Sequence, residues 1–110
     1  MLPKSCPSYP VSIFMAGDYD AAREICRAYC DEVGFCVTVT PTSYVYTGGE
    51  EAGFIVGLIN YPRFPAEHVG EIYATANELA ERLCQCLGQE SFTIQTPDAA
   101  FWTSYRKGDA

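Results

Sequence analysis

Hydrophobic and polar residues alternate along this chain with two different periods, and each change of period marks a new element of secondary structure. The uninterrupted apolar run VSIFMA at residues 11–16 predicts a buried strand. Apolar residues then recur three and four positions apart over residues 19–33, which predicts a helix. Asp18 can cap the first turn of that helix, and Gly34 can end it in a left-handed conformation.

The pattern between residues 35 and 61 has a period of two and predicts a hairpin. Residues 35–40 alternate between apolar and polar, and Pro41 then indicates an edge strand, a bulge or a bend. The strand resumes at 43–47, and residues 53–61 form the next strand, which is apolar on both faces. The predicted hairpin loop consists of Gly48, Gly49, Glu50 and Glu51, with glycine supplying the positive φ.

A helical period returns over residues 65–87, where a long apolar stripe faces a row of acidic side chains. Pro65 suits the first turn of this helix, which places His68 in that turn, and Gly88 follows the last turn. Two further strands are predicted at 91–96 and 100–105.

The resulting order βαββαβ, with one extra C-terminal strand, predicts an α+β ferredoxin-like sandwich. Such a sandwich has an antiparallel four-stranded sheet, in the order fourth, first, third, second, with two helices on one face. We expect one domain over 11–105, a flexible N-terminal arm over 1–10 and a flexible tail over 106–110. The second apolar face of strand 53–61 predicts either a contact between subunits, in a dimer or a trimer, or a position under a partner element.

The composition of this 110-residue chain excludes several classes of function. Its net charge of −7 argues against direct binding of nucleic acid, and no apolar run approaches the roughly twenty residues of a membrane span. Its six cysteines lack paired CxxC spacing, and His68 is its single histidine, so we expect no metal and no cofactor. No secretory pattern precedes the cysteines, which indicates free thiols in a reducing cytoplasm.

The segment YTGGEEAGFIVGLINYPRFP, with its flanking helices and the later SFTIQTP, resembles a group of small uncharacterised proteins of bacteriophages and prophages. The resemblance covers most of the chain from about Val11 onward and implies no established activity. The element order also resembles that of the PII and CutA-type trimers, in topology alone. That second resemblance implies a ligand cleft between subunits.

Two segments hold the candidate binding residues. Arg63 lies between prolines beside Asn60 and Tyr61, where it can bind a carboxylate, a phosphate or the face of a base. The alternative is a turn shaped by the prolines, with Arg63 paired to an acidic neighbour. The second segment is the hairpin, whose predicted binding residues are Tyr44, Tyr46, Gly48, Gly49, Glu50 and Glu51.

The hairpin residues also have two interpretations. Tyr44 and Tyr46 share one face of a strand, where they can stack on a ligand or anchor a partner, or else cover the core. The same choice applies to Trp102 and Tyr105. The glycines can cradle an anion through their amides, although the adjacent glutamates repel a phosphate and favour a solvated turn.

The sequence contains no recognisable nucleophile motif, so we expect a non-catalytic binding protein. The first hypothesis is a counter-defence protein of a phage that blocks a host defence protein by stoichiometric binding through its acidic surface. Alternatives are an oligomer that sequesters a small nucleotide-like signal, a small oligomeric enzyme and an assembly component. For the enzyme, the candidate titratable groups are His68, Glu50 and Glu51.

Overall fold

The computed structural model describes residues 2–109, in which two helices cover one face of a five-stranded sheet. The elements in chain order are β1 (Val11–Ala16), α1 (Tyr19–Val33), β2 (Thr38–Tyr46), β3 (Gly49–Leu58), α2 (Gly70–Cys86), β4 (Ser91–Gln95) and β5 (Ala100–Ser104). Met1 of the predicted arm and Ala110 of the predicted tail lie outside the described residues. The extent of the domain and the mobility of the arm and tail stay predictions.

The strand order is β2-β3-β1-β4-β5, and all four neighbouring pairs are antiparallel. This confirms the predicted α+β ferredoxin-like sandwich and its order of fourth, first, third, second. The extra C-terminal strand, β5, extends the sheet beyond β4 and does not fold over either face.

The core lies between the helices and one face of the sheet. In β1 every second residue is buried, and Ile13 pairs with Val56 of β3 and Ile94 of β4 on that same face. The two helices close the core with residues spaced as their apolar stripes predict: Ala22, Cys26, Tyr29, Ile72, Ala76, Leu79, Ala80 and Leu83. Alternation along each strand therefore leaves the opposite face of the sheet without helices.

That open face is less apolar than predicted from β3. Ile55 lies opposite Phe14 and is half-buried, but its neighbours on the same face, Gly53 and Gly57, have no side chains. Ile59 follows the end of β3 and is exposed. The subunit contact predicted for this face therefore stays a prediction that depends mainly on Phe14 and Ile55.

The ends of α1 are where the sequence places them. The Asp18 carboxylate accepts a hydrogen bond of 2.8 Å from the Ala21 amide, and Gly34 adopts φ 73°. The amide of Gly34 then donates to the carbonyl of Cys30 at 2.9 Å, which closes the helix.

The predicted hairpin loop is wrong for three of its four residues. Tyr46 pairs directly with Gly49, so the turn consists of Thr47 and Gly48 alone, with φ 91° at Gly48. Glu50 and Glu51 are therefore strand residues of β3, and their side chains point to opposite faces. Pro41 does not interrupt β2, because β2 is an edge strand whose outer side needs no amide.

The predicted start of α2 at Pro65 is also wrong, because the helix begins at Gly70 and ends at Cys86. The amide of Ala66 donates to the side-chain oxygen of Asn60 at 3.0 Å, which holds the segment after Pro65 in a loop. His68 therefore precedes the helix and does not lie in its first turn.

All six cysteines are free thiols, and residues 2–109 contain no cluster of three or more potential metal ligands. Within the same range, neither helix has the length and apolarity to cross a bilayer.

Candidate functional site

A basin of about 610 Å³ lies on the open face, at the end of the sheet where the hairpin lies. Because neighbouring strands run in opposite directions, this end collects the last residues of β1, β2 and β5 and the first residues of β3 and β4. We call it the open-face basin. Its lining residues are Phe14, Met15, Ala16, Tyr44, Tyr46, Glu51, Gln89, Ser91, Phe92, Thr93, Trp102 and Arg106.

The hairpin forms the first wall of the basin. Tyr44 pairs directly with Glu51 across the hairpin, so both side chains are on the open face. The Tyr44 hydroxyl accepts a hydrogen bond of 3.1 Å from the Met15 amide and donates one of 2.8 Å to the Phe54 carbonyl. It thereby bridges β1 and β3. Burial, the largest cause, raises the pKa of Tyr44.

Two glycines make room for the aromatic rings of this wall. The ring of Tyr44 lies over Gly53, where a side chain would also come 2.6 Å from the carbonyl oxygen of Met15. The ring of Tyr46 lies over Gly49, but 55% of that side chain stays exposed. Tyr44 is therefore fixed in the sheet, whereas Tyr46 offers a free aromatic surface.

The opposite wall comes from β5 and the residues that follow it. Trp102 pairs with Thr93 on the open face and is 56% exposed. Arg106 is held by Glu90, with Nε 2.8 Å from the carboxylate oxygen, and the hydrogen bond to Glu90 is the main reason that the pKa of Arg106 is raised. Glu51 adds a smaller electrostatic contribution to that shift, and both charged groups line the basin.

The chemistry of the basin suits a small molecule that has a flat ring and carries both a cationic and an anionic group, because Glu51 and Arg106 both line it. Tyr46 and Trp102 offer π faces, which attract both heteroaromatic rings and cations. Glu51 is the only carboxylate among the lining residues. The volume of the basin is within the range of 300–1,000 Å³ that is typical of small-molecule sites.

The other predicted segment lines a second cavity, of about 300 Å³, at the opposite end of the sheet, beyond the last residue of β3. We call it the end cleft. Asn60 is buried beside it. Its side chain donates a hydrogen bond of 2.9 Å to the Pro7 carbonyl and accepts one from the Ala66 amide. The polar groups of Asn60 are thus used to hold the N-terminal arm and the loop after Pro65.

The aromatic residues of the end cleft pack mainly on one another. Tyr61 stacks on Phe64 with centroids 5.4 Å apart and meets the edge of Phe35 at 6.0 Å. Burial raises the pKa of Tyr61 to about 12, and a hydrogen bond with the Cys36 thiol adds to the shift. Arg63 is exposed, does not line the cleft and makes no ion pair within residues 2–109.

The predicted binding residues therefore separate into two regions. Tyr44, Tyr46 and Glu51 come together in the open-face basin, whereas Asn60 and Tyr61 line the end cleft. Gly49 borders the first region as the support of Tyr46, but Gly48 and Glu50 line neither cavity. Gln89 and Arg106 also line the basin and were not predicted from the sequence. The direction of the strands is the signal for them, because it brings the start of β4 and the end of β5 to the hairpin.

No protein-family model and no curated protein matches this chain. Two solved structures of a phage SAM lyase share its fold. The structure in complex with S-methyl-5′-thioadenosine has a TM-score of 0.72 and 13% identity over 94% of this chain and 95% of that chain. The apo structure has a TM-score of 0.67 and 14% identity over 92% of each chain. The likeness establishes a fold that a phage protein also has.

The expectation of a non-catalytic protein is wrong in the light of this finding. It depended on the lack of a nucleophile motif, yet the same fold carries a lyase in a phage protein. A lyase that releases a good leaving group needs no protein nucleophile, so the lack of a nucleophile motif is no argument against this class of enzyme.

Proposed function

We propose that this chain is a lyase that cleaves S-adenosylmethionine in the open-face basin and releases S-methyl-5′-thioadenosine. The observation that carries the proposal is the basin itself, whose lining combines the rings of Tyr46 and Trp102 with the carboxylate of Glu51. The fold of the phage SAM lyase supports it. The proposal gives the acidic character of the chain a role, since the net charge of −7 attracts a substrate with a net positive charge.

The reaction breaks the bond between the sulfonium sulfur and the γ-carbon of the methionine moiety. The sulfur keeps the electron pair and becomes a neutral thioether. The γ-carbon can then complete its valence by one of two routes. In the first, the substrate's own carboxylate attacks the γ-carbon and closes a lactone. In the second, the β-carbon loses a proton and an alkene forms between the two carbons. We favour the lactone, because it requires positioning and no base from the protein.

The aromatic lining favours this displacement for an electrostatic reason. A carboxylate and a sulfonium cancel each other's charge as the lactone forms, so the transition state is less polar than the bound substrate. Displacement of water from Phe14, Tyr44 and Trp102 by the bound substrate therefore favours the transition state over the ground state. Glu51 binds the cationic substrate, and its main contribution is to affinity.

We extend the proposal to the biological setting predicted from the sequence. Loss of S-adenosylmethionine deprives a host cell of its methyl donor, so a counter-defence role in the bacterial cytoplasm would follow from turnover. Membership of a phage-encoded family is part of the same proposal. A second copy of the chain, in a dimer or a trimer, would pack on Ile55 beside the basin and leave Phe14 within it, and light scattering tests that arrangement.

The hairpin supplies a matched pair of variants for the test. Glu51 lines the basin, but the adjacent Glu50 points to the other face of β3. With S-adenosylmethionine as substrate and chromatography with mass spectrometry as the readout, Glu51→Gln should lower kcat/KM about tenfold or more, mainly through KM. Glu50→Gln removes the same charge and should leave kcat/KM unchanged.

The products separate the two routes and the competing functions. A lactone with an effect on KM supports binding by Glu51, and an alkene with a fall in kcat makes Glu51 the base. Wild-type protein that binds S-adenosylmethionine without releasing S-methyl-5′-thioadenosine would overturn the lyase proposal. Equal losses in Glu50→Gln and Glu51→Gln would remove the basin from the reaction.

A further inference from the structure

A third cavity, of about 300 Å³, lies between α1 and the segment that enters β2. We call it the thiol groove. Its lining combines sulfur, positive charge and an apolar wall: Arg23, Cys26, Arg27, Cys30, Phe35, Cys36, Val37 and Val39. It shares Phe35 with the end cleft and has no residue in common with the open-face basin.

The three thiols of the groove lie at different depths. Cys26 is buried, and burial raises its pKa to about 12. Cys30 is half-buried, and its pKa is raised by burial first and by Cys36 second, although the Val37 amide donates to its sulfur. Cys36 is exposed. Cys36 is therefore the sulfur of this groove that a molecule in solution can reach.

The chain returns on itself to bring Cys36 back to the helix. The amides of Gly34 and Phe35 both donate to the carbonyl of Cys30, at 2.9 and 3.3 Å. These bonds reverse the chain at the end of α1. Cys36 then lies beside the helix face that carries the groove's two arginines, as all of these residues line the same cavity.

The two arginines are unusual in a chain with only seven basic residues. Arg23 has a long contact of 3.8 Å with Asp20, and Arg27 makes no ion pair with any residue in the range 2–109. Among the acidic residues, Asp31 makes a small electrostatic contribution to the raised pKa of Cys30. A guanidinium binds a carboxylate through two parallel hydrogen bonds, so the groove pairs a reachable sulfur with two carboxylate receptors.

We propose that the thiol groove is a site of modification, where Cys36 exchanges with an acidic low-molecular-weight disulfide of the glutathione disulfide class. The Cys36 thiolate attacks one sulfur of the disulfide, and a new S–S bond forms as the old one breaks. The other half leaves as a thiolate and takes up a proton. The carboxylates of the incoming disulfide bind Arg27 and Arg23, which raises its local concentration beside Cys36.

The modification has a structural consequence at the end cleft. Tyr61 packs against Phe35, the neighbour of Cys36 in the chain, and the Cys36 thiol is close enough to Tyr61 to contribute to the rise in the pKa of Tyr61. A bulky group on the Cys36 sulfur displaces that contact and moves the wall that the groove and the cleft share. The end cleft is thus the part of the molecule that would respond to the redox state of the cell.

The chain contains its own control for this proposal, because Cys86 at the end of α2 is also exposed and lies outside the groove. The protein is treated with oxidised glutathione or, separately, with cystamine, a cationic disulfide. The rate at each cysteine is then read by peptide mass spectrometry. Oxidised glutathione should modify Cys36 about tenfold faster than Cys86, and cystamine should show no such preference.

The source of the preference is tested at Arg27, which is exposed and outside the core. Arg27→Gln should lower the rate of modification at Cys36 toward the rate at Cys86. Arg27→Lys, which keeps the positive charge, should retain most of the preference for Cys36. Equal rates at the two cysteines with oxidised glutathione, or the same preference with cystamine, would overturn the proposal. Both of those comparisons use the wild-type protein, so neither depends on the folding of a variant.

Discussion

The open-face basin and the end cleft contain similar residue types, but they differ in how many of those residues have partners inside the molecule. In the end cleft Asn60 is held by the N-terminal arm and by Ala66, and Tyr61 stacks on Phe64. In the basin Tyr46 and Trp102 are more than half exposed. A polar or aromatic residue with internal partners stabilises the fold, whereas one without them can bind a ligand. The difference favours the basin as the site of chemistry.

The largest effect on stability should come from Gly53, which supports the first wall of the basin. Gly53→Ala would place a methyl group 2.6 Å from the Met15 carbonyl and against the ring of Tyr44. We expect the free energy of unfolding, measured by urea denaturation, to fall by about 3 kcal/mol, because relief of this clash requires a shift of the backbone within the sheet.

The control for that variant is Gly70→Ala, at the first residue of α2, where no atom lies within 4 Å of the added group. Alanine there should leave stability unchanged or raise it by about 0.5 kcal/mol. Equal stabilities for the two variants would contradict the tight packing of Tyr44 over Gly53.

The next effect concerns Asn60 and tests the structural role of the end segment. Asn60→Ala leaves the half-buried amide of Ala66 without its acceptor and the Pro7 carbonyl without its donor. The free energy of unfolding should fall by about 2 kcal/mol, and turnover by the folded fraction should not change. Asn77→Ala removes an exposed bond to Glu81 and should cost less than about 0.5 kcal/mol. A specific loss of turnover in Asn60→Ala would place the end cleft in the reaction.

A smaller effect should appear at alkaline pH. The pKa of Tyr61 is raised from 10.0 to about 12, so the folded protein holds this proton more tightly than the unfolded chain does. The resulting stability is fully present below pH 10 and is lost as the pH rises toward 12. Tyr61→Phe should therefore reduce the decline of the unfolding free energy across that interval.

The decline should persist in part in Tyr61→Phe, because the pKa values of Tyr29 and Cys26 are also raised to about 12 by burial. Urea denaturation at several pH values measures the slope, with Tyr29→Phe as the core counterpart. A slope in Tyr61→Phe equal to that of the wild type would show that Tyr61 titrates alike in both states.

The smallest effect is expected at Arg63. Its side chain is exposed and makes no ion pair in the part of the chain that the structure describes, so Arg63→Ala should change stability by less than about 0.5 kcal/mol. Turnover of S-adenosylmethionine should also be unchanged in a steady-state assay. A large fall in turnover would reverse the comparison between the basin and the cleft.

The order and type of the elements could be predicted because they depend on local patterns. Alternation at residues 11–16, helical spacing at 19–33 and the end signals at Asp18 and Gly34 each act within a few residues. The start of α2 could not be predicted, because it depends on Asn60, whose side-chain oxygen accepts a hydrogen bond from the Ala66 amide across a loop. Pro65 is compatible with both a loop and the first turn of a helix.

The candidate site could be predicted only in part, for a similar reason. Tyr44, Tyr46 and Glu51 are near one another in sequence, and alternation places them together on one face. Arg106 reaches the basin through the direction of β5 and its pairing with Glu90. Those contacts depend on the assembled sheet, so residue patterns near Arg106 give no indication of them.

The phenolic oxygen of Tyr44 stands in the ladder between β1 and β3, where it accepts the bond from the Met15 amide. The exchange of that amide proton with deuterium therefore depends on how often the ring swings away. A molecule seated against the ring slows that motion. The Met15 amide is thus a built-in reporter of occupancy, readable by amide NMR without any label on the bound molecule.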